Sequence, residues 1–298
     1  MKIISGSTCK ALARIISYNT ALEYTDSNTQ HFADGELRVS ISGDIAGQDI
    51  FILQSVSTPV HSRLMELLLL ADACRRARAR QITALLTYAA YGRQDKMYDT
   101  NGPIAAQLVS NIMEAAGIER VAILDFHASN IKTFFNIEAY NLNSAGLFKE
   151  YVNIDDDSVV VAPDFGSIER AKIFANIFNV QDTAMLEKVR DHNNKCLIKS
   201  LVGNVHNKNC IIVDDIIDSG NTICAVAELL KKHGAKKIMA CATHAILSGD
   251  ALENISSSPI IDKVFVTDSI NNASLLANDK FHVISSAPVF IDFLNNTK

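Results

Sequence analysis

Three aspartates in five residues precede a stretch of small and hydroxylated residues in the second half of the chain. Asp214, Asp215 and Asp218 follow the apolar run Ile211–Val213. The small residues after them are Ser219, Gly220, Asn221 and Thr222. At the start of a helix the first backbone N–H groups have no intrahelical partner and can bind a phosphate. Neighbouring carboxylates can accept hydrogen bonds from sugar hydroxyls or bind a metal ion. The stretch Ile211–Thr222 is thus predicted to hold a sugar phosphate, against the alternative of an acidic turn before a capped helix.

Short apolar runs alternate with helical patterns along the whole chain. The predicted strands are Lys2–Ser5, Asp49–Gln54, Gln81–Thr87, Arg120–Asp125, Ser158–Ala162, Asn209–Val213, Lys237–Thr243 and Lys263–Thr267. The predicted helices include Ser62–Ala77, Ile104–Ala116, Ile168–Phe178 and Thr222–His233. Alternation of this kind, with nearly continuous apolar strands, predicts an α/β fold of parallel sheets covered by helices on both faces. The polar stretch Asn141–Asp157 is the predicted boundary between two α/β halves.

Charged residues follow the predicted strands in both halves, at Tyr88–Lys96, Asp125–His127, Pro163–Asp164 and Asp214–Asp218. Ligands of open α/β sheets bind at the carboxyl ends of the strands. These four clusters are therefore predicted to lie at the ligand-binding ends of the sheets.

Composition narrows the class of protein. The net charge is -5 over 298 residues, whereas proteins that bind duplex nucleic acid usually carry a basic face. Neither a signal peptide in Met1–Lys10 nor an apolar run long enough to cross a bilayer is evident. The six cysteines form no CxxC pair, so we expect buried free thiols. A cytoplasmic protein that contacts neither nucleic acid nor membrane fits these features.

The stretch Ile211–Thr222 resembles the ribose-phosphate loop of type I phosphoribosyltransferases and of phosphoribosyl pyrophosphate synthetases. Four further segments resemble the synthetases specifically, and their patterns in that family are F-x-D-G-E, Y-x-R-Q-D-[RK], D-L-H-A and S-P-D-x-G-G. The matching segments here are His31–Glu36, Tyr91–Lys96, Leu124–Ala128 and Val161–Gly166. The resemblance runs from the N-terminus to about Ser269 and identifies the chain as a member of the ribose-phosphate pyrophosphokinase family.

The resemblance implies two similar type I phosphoribosyltransferase-like domains, at 1–143 and 144–298. It implies that ATP is bound by Phe32, Asp34, Glu36, Arg93, Gln94, Asp95 and His127. It implies that ribose 5-phosphate is bound by Asp214, Asp215, Asp218, Ser219, Gly220, Asn221 and Thr222. It further implies Mg²⁺ as the cofactor, near His127 and Asp164.

The family transfers the diphosphoryl group of ATP to the C1 hydroxyl of ribose 5-phosphate, which yields 5-phosphoribosyl 1-diphosphate and AMP for nucleotide biosynthesis. Its K-R-R-P loop corresponds here to Lys188-Val189-Arg190-Asp191. Lys188 and Arg190 match the residues that stabilise the transferred phosphoryl charge, so the resemblance makes these two residues catalytic. The polar composition after Arg190 is typical of a lid.

Two segments and the end of the sequence depart from the family pattern. His61-Ser62-Arg63 stands where an N-[DE]-x segment is usual, and Met97–Asn101 replaces a basic, serine-containing stretch. The sequence stops at Lys298 without the serine-rich tail of the ADP-inhibited class. We therefore expect weak or absent allosteric inhibition by ADP. The resemblance also implies a homo-oligomer, from dimer to hexamer, with a shared adenine site.

Two other functions stay open at this stage. A non-catalytic regulatory homologue would bind nucleotide beside an active partner, and Val189 is the feature in its favour. A phosphoribosyltransferase would use the Ile211–Thr222 loop but would leave Phe32–Glu36 and Arg93–Asp95 unexplained.

Overall fold

The computed structural model describes the backbone of residues 1–190 and 196–296, and the side chains of 1–187 and 200–296. Its contacts define two compact units. The first comprises Met1–Asn143, Ser269–Asn271 and Ser286–Lys298, and the second comprises Ser144–Asp268 and Asn272–Ser285. The division between Asn143 and Ser144 falls where we placed the domain boundary. The final segment packs with the first unit, whereas we expected 144–298 to form one domain.

The first unit contains one six-stranded sheet and a separate two-stranded hairpin. Its strands are β1 (Lys2–Ser5), β2 (Glu23–Thr25), β3 (Ser27–His31), β4 (Leu37–Ile41), β5 (Asp49–Ser55), β6 (Gln81–Tyr88), β7 (Arg120–Leu124) and β8 (Glu138–Leu142). Its first three helices are α1 (Lys10–Tyr18), α2 (Val60–Arg76) and α3 (Ala105–Ala115). The sheet order is β2-β1-β5-β6-β7-β8 with every pair parallel, while β3 and β4 pair antiparallel.

The second unit contains one seven-stranded sheet in the order β11-β10-β9-β12-β13-β14-β15. Its strands are β9 (Ser158–Ala162), β10 (Asp182–Arg190), β11 (Cys196–Val202), β12 (Asn209–Ile217), β13 (Lys237–Ala245), β14 (Lys263–Thr267) and β15 (Phe281–Ile284). Its helices are α4 (Ile168–Phe178), α5 (Asn221–Lys232) and α6 (Ala251–Ser257), and α7 (Ala287–Asn296) follows in the first unit. All pairs are parallel except β10 with β11.

Helices cover both faces of each sheet because strand residues alternate between two cores. In β9, Val159 and Val161 join the core under α5, whereas Val160 and Ala162 join the core that includes Phe174 of α4. In the first unit α2 and α3 contribute to one core, and α1 and α7 contribute to the other. The α/β fold with mainly parallel sheets is therefore as predicted.

Each sheet has a topological switch point, the place where successive connections leave in opposite directions. In the first unit it lies between β1 and β5, since β1 connects to β2 on one side and the chain later returns to β5 on the other. In the second unit it lies between β9 and β12. Switch points are the usual ligand sites of open α/β sheets, at the carboxyl ends of the strands.

The structure extends or adds several elements relative to the sequence prediction. Strand β12 continues to Ile217 rather than ending at Val213, because Asp214, Ile216 and Ile217 pair with β13. The β3–β4 hairpin and the antiparallel β10–β11 pair were not predicted from the sequence.

The cysteines are free thiols wherever the structure describes their side chains. Cys9, Cys74, Cys210 and Cys241 are buried and Cys224 is half-buried, whereas the side chain of Cys196 lies outside the described residues. Burial raises the pKa of Cys74 to about 12 and that of Cys210 to about 11, so both thiols stay protonated and unreactive. Within the described residues, no helix combines the length and apolarity needed to cross a membrane.

Candidate active site

Aspartates from two strands meet at the switch point of the second unit. Strands β9 and β12 are parallel neighbours, with Ile212 opposite Val161. Asp164 follows β9 by two residues and Asp214 lies in β12 two residues beyond Ile212, so both reach the same edge of the sheet. The charge of Asp164 contributes to the raised pKa of Asp214, which confirms their proximity.

Asp214 and Asp215 form an electrostatically unfavourable pair. Loss of hydration is the largest effect that raises the pKa of Asp214 well above its usual value, and the charges of Asp215 and Asp164 follow. Asp214 is half-buried, whereas Asp215 is 4% exposed. Arg170 lies near the N-terminus of α4 with Nη2 at 3.5 Å from Oδ1 of Asp215, and it lowers the pKa of Asp214 only in part. The site therefore has an excess of negative charge.

The turn after β12 leads directly into α5. The backbone N–H groups of Leu247 and Ser248 bind the carbonyl oxygens of Ile217 and Asp218 at 3.1 Å each, which fixes the turn from one side. Gly220 has φ of 75° and begins α5, and a Cβ there would lie 3.1 Å from Cδ1 of Ile255. The positive φ favours glycine at this position, and a side chain there would also press against Ile255.

The buried face of α5 packs on the core and so fixes the position of the helix's first turn. Ile223, Val226, Ala227 and Leu230 are all buried, as the apolar spacing predicted. Thr222 and Asn221 stand in the first turn, where backbone N–H groups lack intrahelical acceptors. The turn Asp218–Thr222 consequently presents N–H and hydroxyl donors beside the Asp214–Asp215 pair, as an anion next to a polyol requires.

Asp164 has a structural role in addition to its charge. It precedes the short 3-10 turn Phe165–Ser167 and forms a capping box with Ser167. The backbone N–H of Ser167 donates to Oδ1 of Asp164 at 3.1 Å, and the N–H of Asp164 donates to Oγ of Ser167 at 3.1 Å. These bonds fix the orientation of the Asp164 carboxylate at the switch point.

In the first unit, the segments after β6 and β7 meet. A Cβ at Gly92 would lie 3.7 Å from Cβ of His127 and 3.4 Å from Cδ1 of Ile131. The amide of Asn130 donates to the carbonyl oxygen of Asp95 at 3.3 Å. The loop Tyr91–Lys96 is therefore packed against the exposed His127 segment.

Tyr98 stabilises the same loop from its other end. Its hydroxyl donates to the carbonyl oxygen of Arg93 at 3.0 Å and lies 3.4 Å from Oδ1 of Asp95. Its ring lies under Lys96, with Nζ 5.5 Å from the ring centroid. Tyr98 belongs to the segment that departs from the family pattern, and no sequence pattern predicts this contact.

The predicted adenine loop is the turn of the β3–β4 hairpin. The N–H of Phe32 donates to the carbonyl oxygen of Glu36 at 2.8 Å, and the N–H of Gly35 donates to that of Phe32 at 3.0 Å. The N–H of Glu36 also donates to Oδ1 of Asp34 at 3.1 Å. Phe32 is 52% exposed, so its ring is available to a ligand.

The structure thus groups the predicted residues into three sets. Asp164 joins the residues from Asp214 to Thr222 in the second unit, and Arg93, Gln94 and Asp95 join His127 in the first. Phe32, Asp34 and Glu36 lie on a separate hairpin of the first unit. The backbone of Lys188 and Arg190 belongs to β10, but their side chains lie outside the described residues. Arg170, beside Asp215, was not among the predicted site residues.

Fold and site together define a two-unit α/β protein of the phosphoribosyltransferase-like class. Two family models match the chain: an N-terminal domain of ribose phosphate pyrophosphokinase over residues 1–117, and a phosphoribosyl transferase domain over residues 130–276. The ribose-phosphate pyrophosphokinase of Campylobacter jejuni is 41% identical over 98% of this chain and 94% of its own. That of Caldanaerobacter subterraneus is 39% identical over 98% and 93%.

Solved structures agree with these relatives. The crystal structure of phosphoribosylpyrophosphate synthetase from Mycobacterium smegmatis superposes with a TM-score of 0.91 at 31% identity, covering 99% of this chain and 97% of that one. The chain therefore belongs to the ribose-phosphate pyrophosphokinase family, as the sequence motifs predicted.

Proposed function

We propose that this chain transfers the diphosphoryl group of ATP to the C1 hydroxyl of ribose 5-phosphate, giving 5-phosphoribosyl 1-diphosphate and AMP. The observation that carries this proposal is the Asp214–Asp215 pair at a switch point, a few residues before helix α5, which has Gly220 as its N-cap. Family membership supplies the reaction, which provides a precursor for nucleotide biosynthesis.

The second unit takes the sugar. Asp214 and Asp215 accept hydrogen bonds from the ribose hydroxyls, which offset the mutual repulsion that raises the pKa of Asp214. The 5-phosphate binds at the start of α5, with Ser219, Gly220, Asn221 and Thr222 as donors and Asp218 at the turn. The conformation of Gly220 supports this assignment, since it allows close approach of the backbone.

The nucleotide is taken by the first unit. Phe32 stacks on the adenine, and Asp34 and Glu36 bind polar groups of the nucleoside. Arg93, Gln94, Asp95 and His127 bind ATP beyond its adenine ring. The exposure of Phe32 and the packing of the Tyr91–Lys96 loop on the His127 segment support these roles.

Members of this family are phosphoryl transferases that need a metal ion, and we propose Mg²⁺. Asp164 supplies carboxylate oxygens for the ion in a region of excess negative charge. His127 is the proposed protein ligand of the ion beside ATP. Among the described residues, no three histidine, cysteine or acidic side chains form a ready-made metal cluster. Mg²⁺ in phosphoryl-transfer sites usually keeps several waters and takes few protein ligands. When bound, Mg²⁺ neutralises phosphate charge.

The chain's own residues align the reactants and stabilise charge. The C1 hydroxyl attacks the β-phosphorus in line, its bond to phosphorus forms as the bond to the AMP oxygen breaks, and the hydroxyl proton leaves to solvent or a nearby base. Lys188 and Arg190 stabilise the charge on the transferred oxygens. The segment after Arg190, whose composition predicts a lid, lies outside the described residues. In this class of reaction the protein contributes mainly by aligning the two reactants and by stabilising the charge on the phosphoryl oxygens.

The assembly and location complete the proposal. The chain forms a homo-oligomer, from dimer to hexamer, whose adenine site is shared with a neighbouring subunit, and it works in the cytoplasm, where ATP and phosphorylated sugars are found. Light scattering coupled to gel filtration measures the assembly directly, and a monomer at micromolar concentration would exclude the shared site.

One assay tests the function. The chain is incubated with Mg²⁺, ATP and ribose 5-phosphate, and both AMP and phosphoribosyl pyrophosphate are measured. We expect the two products in equal amounts. ADP as the nucleotide product would indicate single phosphoryl transfer. No turnover with intact nucleotide binding would indicate the regulatory homologue, and consumption of phosphoribosyl pyrophosphate with a free base would indicate a phosphoribosyltransferase.

A further inference from the structure

A buried carboxylate lies at the switch point of the first unit, outside the proposed chemistry. Glu66 of α2 is 1% exposed. Its Oε1 accepts from the backbone N–H of Ser7 at 2.9 Å and from the hydroxyl of Thr29 at 2.6 Å. Its Oε2 accepts from Oγ of Ser7 at 2.8 Å, Nε2 of Gln54 at 2.8 Å and Nη1 of Arg63 at 3.2 Å. Five donors therefore hold this one carboxylate.

The surroundings of Glu66 are themselves fixed. Thr8 donates to Oε1 of Gln54 at 2.8 Å, and a Cβ at Gly6 would lie 2.3 Å from the same oxygen. The loop after β1 and the end of β5 are thus packed closely around the carboxylate. Burial acts to raise the pKa of Glu66, but the hydrogen bonds from Thr29, Ser7 and Gln54 outweigh it, so the pKa lies below the usual value.

One of the five donors comes from the β3–β4 hairpin. The hairpin is a separate two-stranded sheet, without ladder hydrogen bonds to the six-stranded sheet. A lone hairpin of this kind is marginally stable, so side-chain contacts must hold it in place. Val39 and Ile41 of β4 pack on the core that contains Leu67 of α2.

The base of β3 and its middle are held separately. The hydroxyl of Ser27 donates to the carbonyl oxygen of Ser5 at 2.5 Å, and Lys10 donates to the carbonyl oxygen of Ser27 at 2.9 Å. Thr29 lies two residues farther along β3 and three residues before Phe32. Of these three hydrogen bonds to β3, the bond between Thr29 and Glu66 therefore lies nearest the turn Phe32–Glu36.

We propose that Glu66 is a positioning residue for the nucleotide, because through Thr29 it fixes the hairpin that carries the Phe32–Glu36 turn. Glu66 touches no reactant itself. The proposal rests on the proposed function in one respect, since it takes that turn as the adenine site. It adds that the orientation of the turn is set by a buried charge at the switch point, where another α/β protein would bind a ligand.

The test uses the full chain and removes one hydroxyl. Thr29→Val keeps the shape and the strand preference but removes the donor, and Thr29→Ser keeps the donor. Ser40→Ala is the matched control, because Ser40 is an exposed hydroxyl residue on β4 of the same hairpin. The KM for ATP, the KM for ribose 5-phosphate, kcat and amide hydrogen exchange are measured for all variants.

We expect the KM for ATP to rise about tenfold in Thr29→Val, as the loss of one charged hydrogen bond allows. The KM for ribose 5-phosphate should change less than about twofold. Hydrogen exchange should increase in residues 28–40 but not in β5 or β6. Thr29→Ser and Ser40→Ala should behave as the unsubstituted chain. Normal KM and hydrogen exchange in Thr29→Ser would distinguish the effect of the hydroxyl from that of side-chain packing in the hairpin.

Unchanged hydrogen exchange in the hairpin of Thr29→Val overturns the proposal, and so does an equal rise of both KM values. An unsubstituted chain that makes no phosphoribosyl pyrophosphate would overturn the proposed function and the nucleotide role together. Hydrogen exchange without substrate would still decide whether Glu66 holds the hairpin, so the two failures are distinguishable.

Discussion

Each switch point of this molecule contains an acidic side chain withdrawn from water, the buried Glu66 in the first unit and the half-buried Asp214 in the second, and their environments are opposite. In the first unit Glu66 receives five hydrogen bonds from protein donors, and its pKa is held below the usual value. In the second unit Asp214 is surrounded by Asp215 and Asp164, and its pKa is raised. A carboxylate held by five donors stabilises a fold. Asp214 accepts a hydrogen bond from the backbone N–H of Asp215 at 2.9 Å but faces two like charges, so its removal from water costs stability that the donors of a ligand can offset. The comparison therefore separates a structural site from the proposed binding site.

The largest expected effect concerns a residue at neither switch point. Lys188→Ala should lower kcat by roughly a thousandfold, because a fixed charge on the transferred oxygens is lost. Thermal unfolding should be unchanged. Lys172→Ala, an exposed lysine on α4, is the control. Near-normal kcat for Lys188→Ala would remove Lys188 from the mechanism.

Asp214→Asn should lower kcat/KM for ribose 5-phosphate by about a hundredfold, because an acceptor for the sugar hydroxyls is lost. The free energy of unfolding should stay the same or rise, since like-charge repulsion is relieved. Steady-state kinetics and urea denaturation measure the two quantities. The exposed Asp156 provides the control Asp156→Asn. A clear loss of stability in Asp214→Asn would mean that this carboxylate is structural after all.

Glu66→Gln should have the opposite balance. The free energy of unfolding should fall by about 2–3 kcal/mol, because an amide cannot accept from all the buried donors that the carboxylate satisfies. Urea denaturation measures the change, with Glu119→Gln at an exposed position as control. A stability equal to that of the unsubstituted chain would show that the hydrogen bonds of Glu66 contribute nothing net.

The smallest effects are expected in the pH dependence of these stability differences. The folded-state pKa of Glu66 is lowered, so its contribution is present above the unfolded-state pKa and is lost as the pH falls through the folded-state value. The folded-state pKa of Asp214 is raised, so its cost is absent below the unfolded-state pKa and grows as the pH rises towards the folded-state value. Both differences should therefore shrink on acidification from neutral pH.

Thermal unfolding of both variants and the unsubstituted chain, measured from about pH 8 down to about pH 3, tests these signs, because the Glu66 difference falls only below the unfolded-state pKa of about 4.3. The loss in Glu66→Gln and the gain in Asp214→Asn should both be greatest at neutral pH. A gain in Asp214→Asn that increases on acidification would contradict the raised pKa of Asp214.

Much of the fold was predictable because its signals are local. Apolar runs such as Ser158–Ala162 and Lys263–Thr267 were predicted at their observed bounds, since a strand buried on both faces is apolar throughout. The buried stripe of α5 was predicted from spacing alone. The short β3 was not, because three of its five residues are exposed and its burial pattern carries no apolar alternation.

The sequence by itself predicted the strand, the glycine and the helix start of the Ile211–Thr222 stretch, because they are adjacent in the chain. It also determined the family, through motifs in a fixed order. Only the tertiary structure decided which distant groups meet them: strand pairing brings Asp164 to Asp214, and helix packing brings Arg170 to Asp215. The same holds for Glu66, whose donors lie up to 59 residues away along the chain. Composition and spacing report on neighbours in sequence, whereas the fate of a buried charge depends on the neighbours that folding provides.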